Sequence, residues 1–230
     1  MPFTFIALVG NTVSAVGTTL DATASLNVAA GDLLIAWCKH EGTNGTFAVA
    51  KDSGSPANTF TFDAADEINH TNADLNGSFG YVLSAAADAT ALFRLTTSSR
   101  TFRRFLVMQF RPDAGAVVTK NGSNVGQGNG LEPASGTFSP TGTDIVACGG
   151  FGDYVSVTTD TELINGVAAT EPAGSPIGNS SVWYRILTTG FVGGTASATT
   201  GASGDWICAG IAFQAVAGGA KHRKLLLGVR

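Results

Sequence analysis

Short runs of apolar or alternating residues recur along the whole chain, and glycine, asparagine, aspartate and proline separate them. Runs of this kind predict β-strands bounded by turns. The 3.6-residue spacing of a helix is not sustained over a window of about eleven residues. The pattern therefore predicts an all-β protein. Besides a first strand within Met1–Gly10, the predicted strands are Ala24–Val28, Leu33–Lys39, Thr46–Val49, Thr59–Phe62, Ser78–Leu83, Ala91–Thr96, Phe102–Phe110, Asp144–Phe151, Val155–Thr159, Ser181–Thr188, Thr195–Thr199 and Asp205–Val216.

The two halves of the chain carry a weak repeat with a period of about 103 to 112 residues, longer than the ~20–50 residues of a solenoid unit. Each half supplies about four long strands, and a single sheet of that size leaves an apolar face uncovered. We therefore expect an antiparallel jelly-roll-type sandwich of two four-stranded sheets, with the N-terminal strand at an edge. The matching segments are Gly31–Cys38 with Gly142–Cys148, Asn76–Leu83 with Asn179–Ile186, and Phe105–Phe110 with Cys208–Phe213.

The domain prediction depends on the join between the halves, near residues 111–130. We expect residues 1–218 to form a single β-sandwich domain, from which residues 219–230, the C-terminal arm, extend. Two independent sandwich lobes are the alternative, but the join carries a strand-like Val117–Thr119, which favours one domain. Its glycine-rich end, Gly126–Gly130, lacks the lysine and the serine or threonine of a phosphate-binding loop and predicts a flexible loop.

The composition of the chain mainly excludes some classes of protein and of site. The chain has 30 glycines and 14 phenylalanines among 230 residues, which suits strands and turns. No apolar run approaches the ~20 residues of a transmembrane helix, and the N-terminus lacks the basic start of a secretory signal. The three cysteines, Cys38, Cys148 and Cys208, lie inside apolar runs, so we expect buried free thiols and no metal or redox site.

Residues with catalytic chemistry are few. The three histidines, His40, His70 and His222, are not accompanied by a Gly-x-Ser-x-Gly nucleophile motif, so no enzyme is predicted. One oxygen-rich stretch, interpreted as a loop, could hold Ca²⁺, but aspartate and asparagine are also the usual turn residues. We therefore predict no metal and no cofactor. The carboxylates of that stretch are Asp63, Asp66, Glu67 and Asp74.

Two further groups of residues are candidate binding elements. The basic cluster of Arg100, Arg103 and Arg104 predicts a salt bridge or subunit contact more readily than a nucleic-acid patch, because phosphate binding needs a net positive surface. The tryptophans, which could stack on sugars, all lie in apolar strands and predict core packing. They are Trp37, Trp183 and Trp206.

The last ten residues concentrate the positive charge. They hold four of the 13 lysines and arginines and none of the 17 acidic residues, so residues 1–220 carry 9 − 17 = −8. A basic, leucine-rich segment on an acidic body predicts a tethered arm that binds a partner, and a frayed terminus is the alternative. The predicted partner-binding residues are Lys221, Arg223, Lys224, Leu225, Leu226, Leu227 and Arg230.

Four segments resemble the pattern of a known family. They are Gly31–Leu34, Asp52–Thr61, Ser78–Leu83 and Trp206–Phe213. They are similar to segments of jelly-roll β-sandwich structural proteins of bacteria and tailed bacteriophages, including head-decoration and minor capsid proteins. The resemblance covers nearly the whole chain, and the basic, leucine-rich ending is also similar to endings of phage structural proteins.

This resemblance implies a non-enzymatic virion structural protein, namely a capsid decoration, cement or minor head protein, assembled in the host cytoplasm. The partners to expect are the major capsid protein or other virion proteins and further copies of the chain, with no nucleic acid and no membrane. A carbohydrate-binding module of a tail fibre or of a bacterial surface protein is the alternative.

Overall fold

The structure is a computed structural model, and it describes residues 3–42, 46–51, 58–70, 73–153 and 159–218. Within those ranges the chain forms sixteen strands and no α-helix. The ladders between these strands are antiparallel. The prediction of an antiparallel all-β protein is confirmed. The strands are β1 (Phe3–Val13), β2 (Gly17–Asp21), β3 (Leu26–Val28), β4 (Leu33–Glu41), β5 (Phe47–Lys51), β6 (Thr61–His70), β7 (Leu75–Val82), β8 (Asp88–Ala91), β9 (Phe93–Pro112), β10 (Ala116–Gly130), β11 (Thr143–Asp153), β12 (Thr159–Ile164), β13 (Val167–Ala168), β14 (Ser180–Thr189), β15 (Ala196–Thr200) and β16 (Gly204–Ala217).

Each half of the chain builds one main sheet. The first sheet has the order β1-β9-β4-β7-β6, and the second has the order β10-β16-β11-β14. The sequence repeat relates β9, β4 and β7 of the first sheet to β16, β11 and β14 of the second, and β1 and β10 take the same place at the edge of each order. Where the two sheets meet, β7 of the first sheet contacts β16 of the second, and β14 of the second contacts β9 of the first. Since β7 corresponds to β14 and β9 to β16, the two contacts are reciprocal. The weak sequence repeat therefore coincides with a repeated strand order.

The expected pair of four-stranded sheets is not confirmed, because the described strands form sheets of seven, four, three and two strands. One cause is the 20-residue length of β9, which pairs with β1 and β4 along its second part and with β2 and β5 along its first. The other cause is that both faces of the main sheets are apolar and need cover. The small sheets β3-β8 and β13-β12-β15 supply part of that cover.

Strand β4 shows why extra layers are needed. All nine of its residues are buried, although successive side chains of a strand point to opposite faces. Leu33, Ile35 and Trp37 enter the cluster between the main sheets, whereas alternate residues such as Leu34 and Ala36 enter a second cluster behind the first sheet. A third cluster lies behind the second sheet.

The central cluster draws large side chains from both halves. Trp37, Phe79 and Phe110 come from the first half, and Ile207 and Phe213 come from the second. Burial of this apolar surface, at roughly 25 cal/mol per Å², holds the two sheets face to face. The division into a domain of residues 1–218 and an arm of residues 219–230 stays a prediction, since the arm lies outside the described residues apart from its connection to β16.

Two segments interpreted as loops are strands. Gly126–Gly130 ends β10 and pairs with β16, with Gly126 opposite Cys208. Glycine is required there by close approach and not by flexibility, since a Cβ at Gly126 would lie 2.1 Å from the Ala134 carbonyl oxygen. The acidic stretch that was considered for Ca²⁺ begins within β6, an edge strand of the first sheet. Strand β1 also lies at an edge of that sheet, as expected.

Candidate functional site

The predicted partner-binding residues, Lys221 to Arg230, lie outside the described residues, but the root of the arm is described. The backbone N–H of Gly218 donates to the carbonyl oxygen of Gly115, 3.1 Å away. Just before this root, Val117 and Val216 face each other in the β10–β16 ladder, and they are 57% and 47% exposed. The described chain therefore ends, at Gly218, close to an exposed apolar pair.

A cavity of about 380 Å³ opens at the same end of the sandwich, lined by residues 29–32 and 111–116. We call this end, defined by those residues with Val117, Val216 and Gly218, the base. Since Gly115 belongs both to the cavity wall and to the arm's hydrogen bond, the cavity borders the arm root. The base thus combines a concave surface, an apolar pair and the last described residue before the predicted arm.

A buried carboxylate holds the base in shape. Asp32 accepts hydrogen bonds from Arg111 Nε at 2.8 Å, from Gln109 Nε2 at 2.6 Å and from the Ala29 N–H at 2.8 Å. Burial alone would raise the pKa of Asp32, but these bonds outweigh it and the pKa lies below its usual value. The carboxylate therefore stays ionised and fixes the turn that begins β4.

A large bulge interrupts the pairing of the edge strand β6 with β7. Phe62 pairs with Gly80 and Glu67 pairs with Ser78, so residues 63–66 oppose a single residue of β7. Bulges at sheet edges redirect side chains and often lie beside functional sites. Here the bulge directs two carboxylates, Asp63 and Asp66, toward the second main sheet.

Lys120 of β10 forms ion pairs with both carboxylates. Its Nζ lies 2.8 Å from Asp63 Oδ2 and 2.6 Å from Asp66 Oδ2, and the Tyr81 hydroxyl donates to Asp63 Oδ2 at 2.9 Å. Burial lowers the pKa of Lys120, but the two carboxylates outweigh it and raise the pKa overall. Burial and the Asp63 carboxylate raise the pKa of Tyr81 to about 12. The network fastens the edge of one sheet to the edge of the other.

These contacts bear on the hypothetical Ca²⁺ site. Asp63 and Asp66 are neutralised in part by Lys120, which occupies the position where a cation would bind. Among the described residues, no group of three or more histidine, cysteine, aspartate or glutamate side chains has a geometry suited to a metal ion. The arrangement instead binds an ammonium group of the chain itself.

A small pocket of about 210 Å³ lies at the bulge. The rings of Phe47 and Phe62 are nearly parallel there, with centroids 6.1 Å apart and planes inclined by 22°. The Phe62 ring rests on Gly80, where a Cβ would lie 2.5 Å from a ring carbon. The bulge pocket is lined by Thr46, Phe47, Phe62, Asp63, Ala64, Glu67 and Ser78.

A buried ionic cluster lies at the opposite end of the sandwich from the base. Lys39 is completely buried, and its Nζ lies 2.9 Å from Glu41 Oε1. Burial lowers the pKa of Lys39 to about 8, against the raising effects of Glu41 and Asp153 and with a further lowering effect of Arg104. Sequence analysis did not single this group out. The sequence feature that could have identified it is Lys39, a lysine at the end of the apolar run Leu33–Lys39 that is followed by further polar residues.

Two arginines of the basic cluster and the three tryptophans pack within the protein. Arg103 is 4% exposed and donates to the carbonyl oxygens of Thr19 and Ala15, while Arg104 is 5% exposed and donates to that of Val13. These guanidinium groups therefore bind backbone inside the protein. Trp37 and Trp183 are fully buried, and Trp206 is partly buried and packs against the cluster behind the second sheet. The core-packing prediction is therefore confirmed for all three.

Comparisons with protein-family models, with curated proteins and with solved structures give no match. Function is therefore inferred from the chain's own residues. The described polar networks join strands and sheets, and the base and the bulge are two concave surfaces with charged side chains in their lining where another molecule can bind.

Proposed function

We propose that this chain is a non-enzymatic structural protein of the virion of a tailed phage or phage-like particle, where it decorates or cements the head or serves as a minor head protein. The observation that carries the proposal is the base. There Gly218, which precedes the predicted basic arm in the sequence, lies beside the exposed Val117–Val216 pair and a cavity of about 380 Å³. The proposal includes the jelly-roll-type sandwich, which two sheets facing through one apolar cluster support.

The mechanism is attachment through surfaces. The sandwich body is rigid because three apolar clusters and the ion pairs of Asp32 and Lys120 hold its layers together. The arm and the base bind a neighbouring protein, either the major capsid protein, another virion protein or a further copy of the chain. Since such contacts repeat over a lattice, modest affinity at each copy is sufficient for firm attachment.

The charge distribution favours a protein partner over nucleic acid. Residues 1–220 carry −8, and Arg103 and Arg104 are engaged with backbone carbonyl groups. Affinity for phosphate backbones rests on accessible lysine and arginine side chains. Within the described residues, no helix has the length and apolar character needed to cross a membrane.

The second candidate is a carbohydrate-binding module of a tail fibre or bacterial surface protein. The specific observation in its favour is the bulge pocket, where two phenylalanine rings lie beside carboxylates. Against it, Trp37 and Trp183 have no exposed surface for stacking on sugars.

The test is binding to particles that lack the protein. Full-length protein is compared with a variant lacking residues 221–230 and with a matched variant in which only Lys221, Arg223, Lys224 and Arg230 become glutamine. We expect the full chain to co-sediment with the particles, the deletion to abolish this, and the glutamine variant to weaken it. Unchanged binding of the deletion variant, or binding to glycans by both, would overturn the structural role and favour the carbohydrate-binding module.

A further inference from the structure

The bulge of β6 already binds one ammonium group on its inner side. Lys120 Nζ contacts Asp63 and Asp66 at 2.8 and 2.6 Å, and it lies 5.8 Å from the centroid of the Tyr81 ring. Carboxylates together with an aromatic face are the usual surroundings of a bound cation in proteins. This side of the bulge therefore already binds a cation through carboxylates of β6 and an aromatic ring.

The outer side of the bulge offers the same elements to a second cation. The bulge pocket brings the Phe47 and Phe62 rings beside Glu67, whose side chain is exposed and has no ion-pair partner among the described residues. The aliphatic stem of a lysine or arginine can pack along an aromatic ring while its charged end reaches a carboxylate.

The local charge is not balanced. Asp63, Asp66 and Glu67 carry three negative charges and Lys120 carries one positive charge, which leaves 1 − 3 = −2. Asp66 is only 1% exposed, and its Oδ1 atom has no hydrogen-bond partner among the described residues. A further positive charge at the bulge would therefore be stabilised.

The chain contains a segment of the required chemistry. Its last ten residues hold four lysines and arginines and no acid. Lys120 at the bulge is paired with Phe213 in the β10–β16 ladder, and five residues of strand, roughly 17 Å, separate Phe213 from the arm root at Gly218. An extended arm of twelve residues spans up to roughly 40 Å, so its basic side chains can reach the pocket.

We propose that the bulge pocket is the receptor for the C-terminal arm, and that it takes a lysine or arginine side chain of residues 221–230 between the Phe47 and Phe62 rings and Glu67. This inference deepens the proposed function, since it assigns the arm a docking site on the sandwich itself. Arms exchanged between copies would then link neighbours into an oligomer. The purified protein suffices to test it, so its failure is distinguishable from failure of particle binding.

The first experiment is zero-length crosslinking of the purified full chain with a carbodiimide, which joins a carboxylate to a lysine amine in direct contact. Mass spectrometry then locates the joined peptides. We expect Glu67 to be joined to Lys221 or Lys224 at least about fivefold more often than the exposed Glu132 is. The mass of the crosslinked species shows whether the arm comes from the same copy or from a neighbour. Equal crosslinking of Glu67 and Glu132 would overturn the proposal.

The second experiment measures affinity. A fluorescent peptide of residues 219–230 is titrated with the variant lacking residues 221–230, in which the chain's own arm does not compete, and with the same variant carrying Glu67→Gln, Phe62→Leu or the control Glu132→Gln. Glu67→Gln and Phe62→Leu should each weaken binding about fivefold, and Glu132→Gln should leave it unchanged. No binding by the deletion variant, or equal binding by all four proteins, is the result that contradicts an arm receptor at the bulge.

Discussion

The indole Nε1 of Trp37 donates a hydrogen bond to the carbonyl oxygen of Phe151, 2.9 Å away, across the two main sheets. The two residues lie 114 positions apart, one in each half of the chain. The Trp37 ring packs against Gly150, where a Cβ would lie 2.6 Å from a ring carbon. This contact fixes how the two halves sit against each other, because both the bond and the packing fail if either sheet slides.

Replacing Trp37 with phenylalanine removes this bond and part of the packing between the two sheets. We expect the free energy of unfolding to fall by about 2–4 kcal/mol, from the lost hydrogen bond and the lost packing together. Chemical denaturation monitored by circular dichroism measures it. The control is Trp206→Phe, because Trp206 Nε1 makes no hydrogen bond within the described structure. Equal losses in the two variants would show that the cross-sheet bond contributes nothing.

Replacing Lys120 with methionine should destabilise the protein by about 3 kcal/mol, because it leaves the buried Asp66 carboxylate without a cation. Arg94→Met is the matched control. Arg94 pairs with Asp21 at the surface, where the two side chains are 38% and 43% exposed, and such a pair is worth less than about 1 kcal/mol. Thermal and denaturant unfolding of both variants test this. A loss for Lys120→Met as small as that for Arg94→Met would contradict the role given to the bulge network.

The buried Lys39 makes stability depend on pH in the alkaline range. Burial lowers its pKa to about 8 in the folded protein, whereas the unfolded value is about 10.4. Between these pH values Lys39 binds a proton in the unfolded chain but not in the folded chain. Its contribution to the free energy of unfolding therefore increases as pH rises, by at most about 1.4 kcal/mol per pH unit.

The measurement is the difference in unfolding free energy between wild type and Lys39→Met from pH 7 to 9.5. The difference should shift in favour of the wild type as pH rises above 8. Contributions of other titrating groups, the cysteines included, cancel in this comparison. Parallel curves over the whole range would show that Lys39 does not titrate as its burial requires.

The three thiols should be inert in the native protein. Cys38, Cys148 and Cys208 are buried and free, and burial raises the pKa of each. The thiolate is the reactive form, so an aromatic disulfide reagent should modify none of the three cysteines at neutral pH until the chain unfolds, and all three in denaturant. Rapid modification of any one of them in the native state would contradict the described core.

Much of the strand content could be predicted from sequence, because alternating and apolar runs mark strands directly. The run Leu33–Lys39, for example, became β4 with two further residues. The layers could not be predicted, since a continuous apolar run does not tell which face meets which cluster. Strand β9 was predicted as two strands. Its polar middle resembles a turn, and Phe102 there has a positive φ of 46°, yet the chain continues as a strand because partners on both sides pair with it.

The candidate sites could be predicted only in part. The arm was predicted from its charge, whereas no pattern in the sequence pointed to the bulge pocket that we propose as its docking surface. The base brings together Asp32, Arg111 and Gly218, and the bulge brings Lys120 to Asp63. These residues are 57 or more positions apart in each ion pair, and only the pairing of strands places them side by side. The bulge also had no sequence signal, because Asp63–Asp66 has the composition of a turn.

The most direct test of the structural role is quantitative mass spectrometry of density-purified particles from the source that encodes this chain, calibrated against the major capsid protein. The account predicts that the chain co-purifies with particles at an abundance comparable with that of the major capsid protein, as expected of a protein that covers a lattice. Complete absence of the chain from purified particles would contradict it.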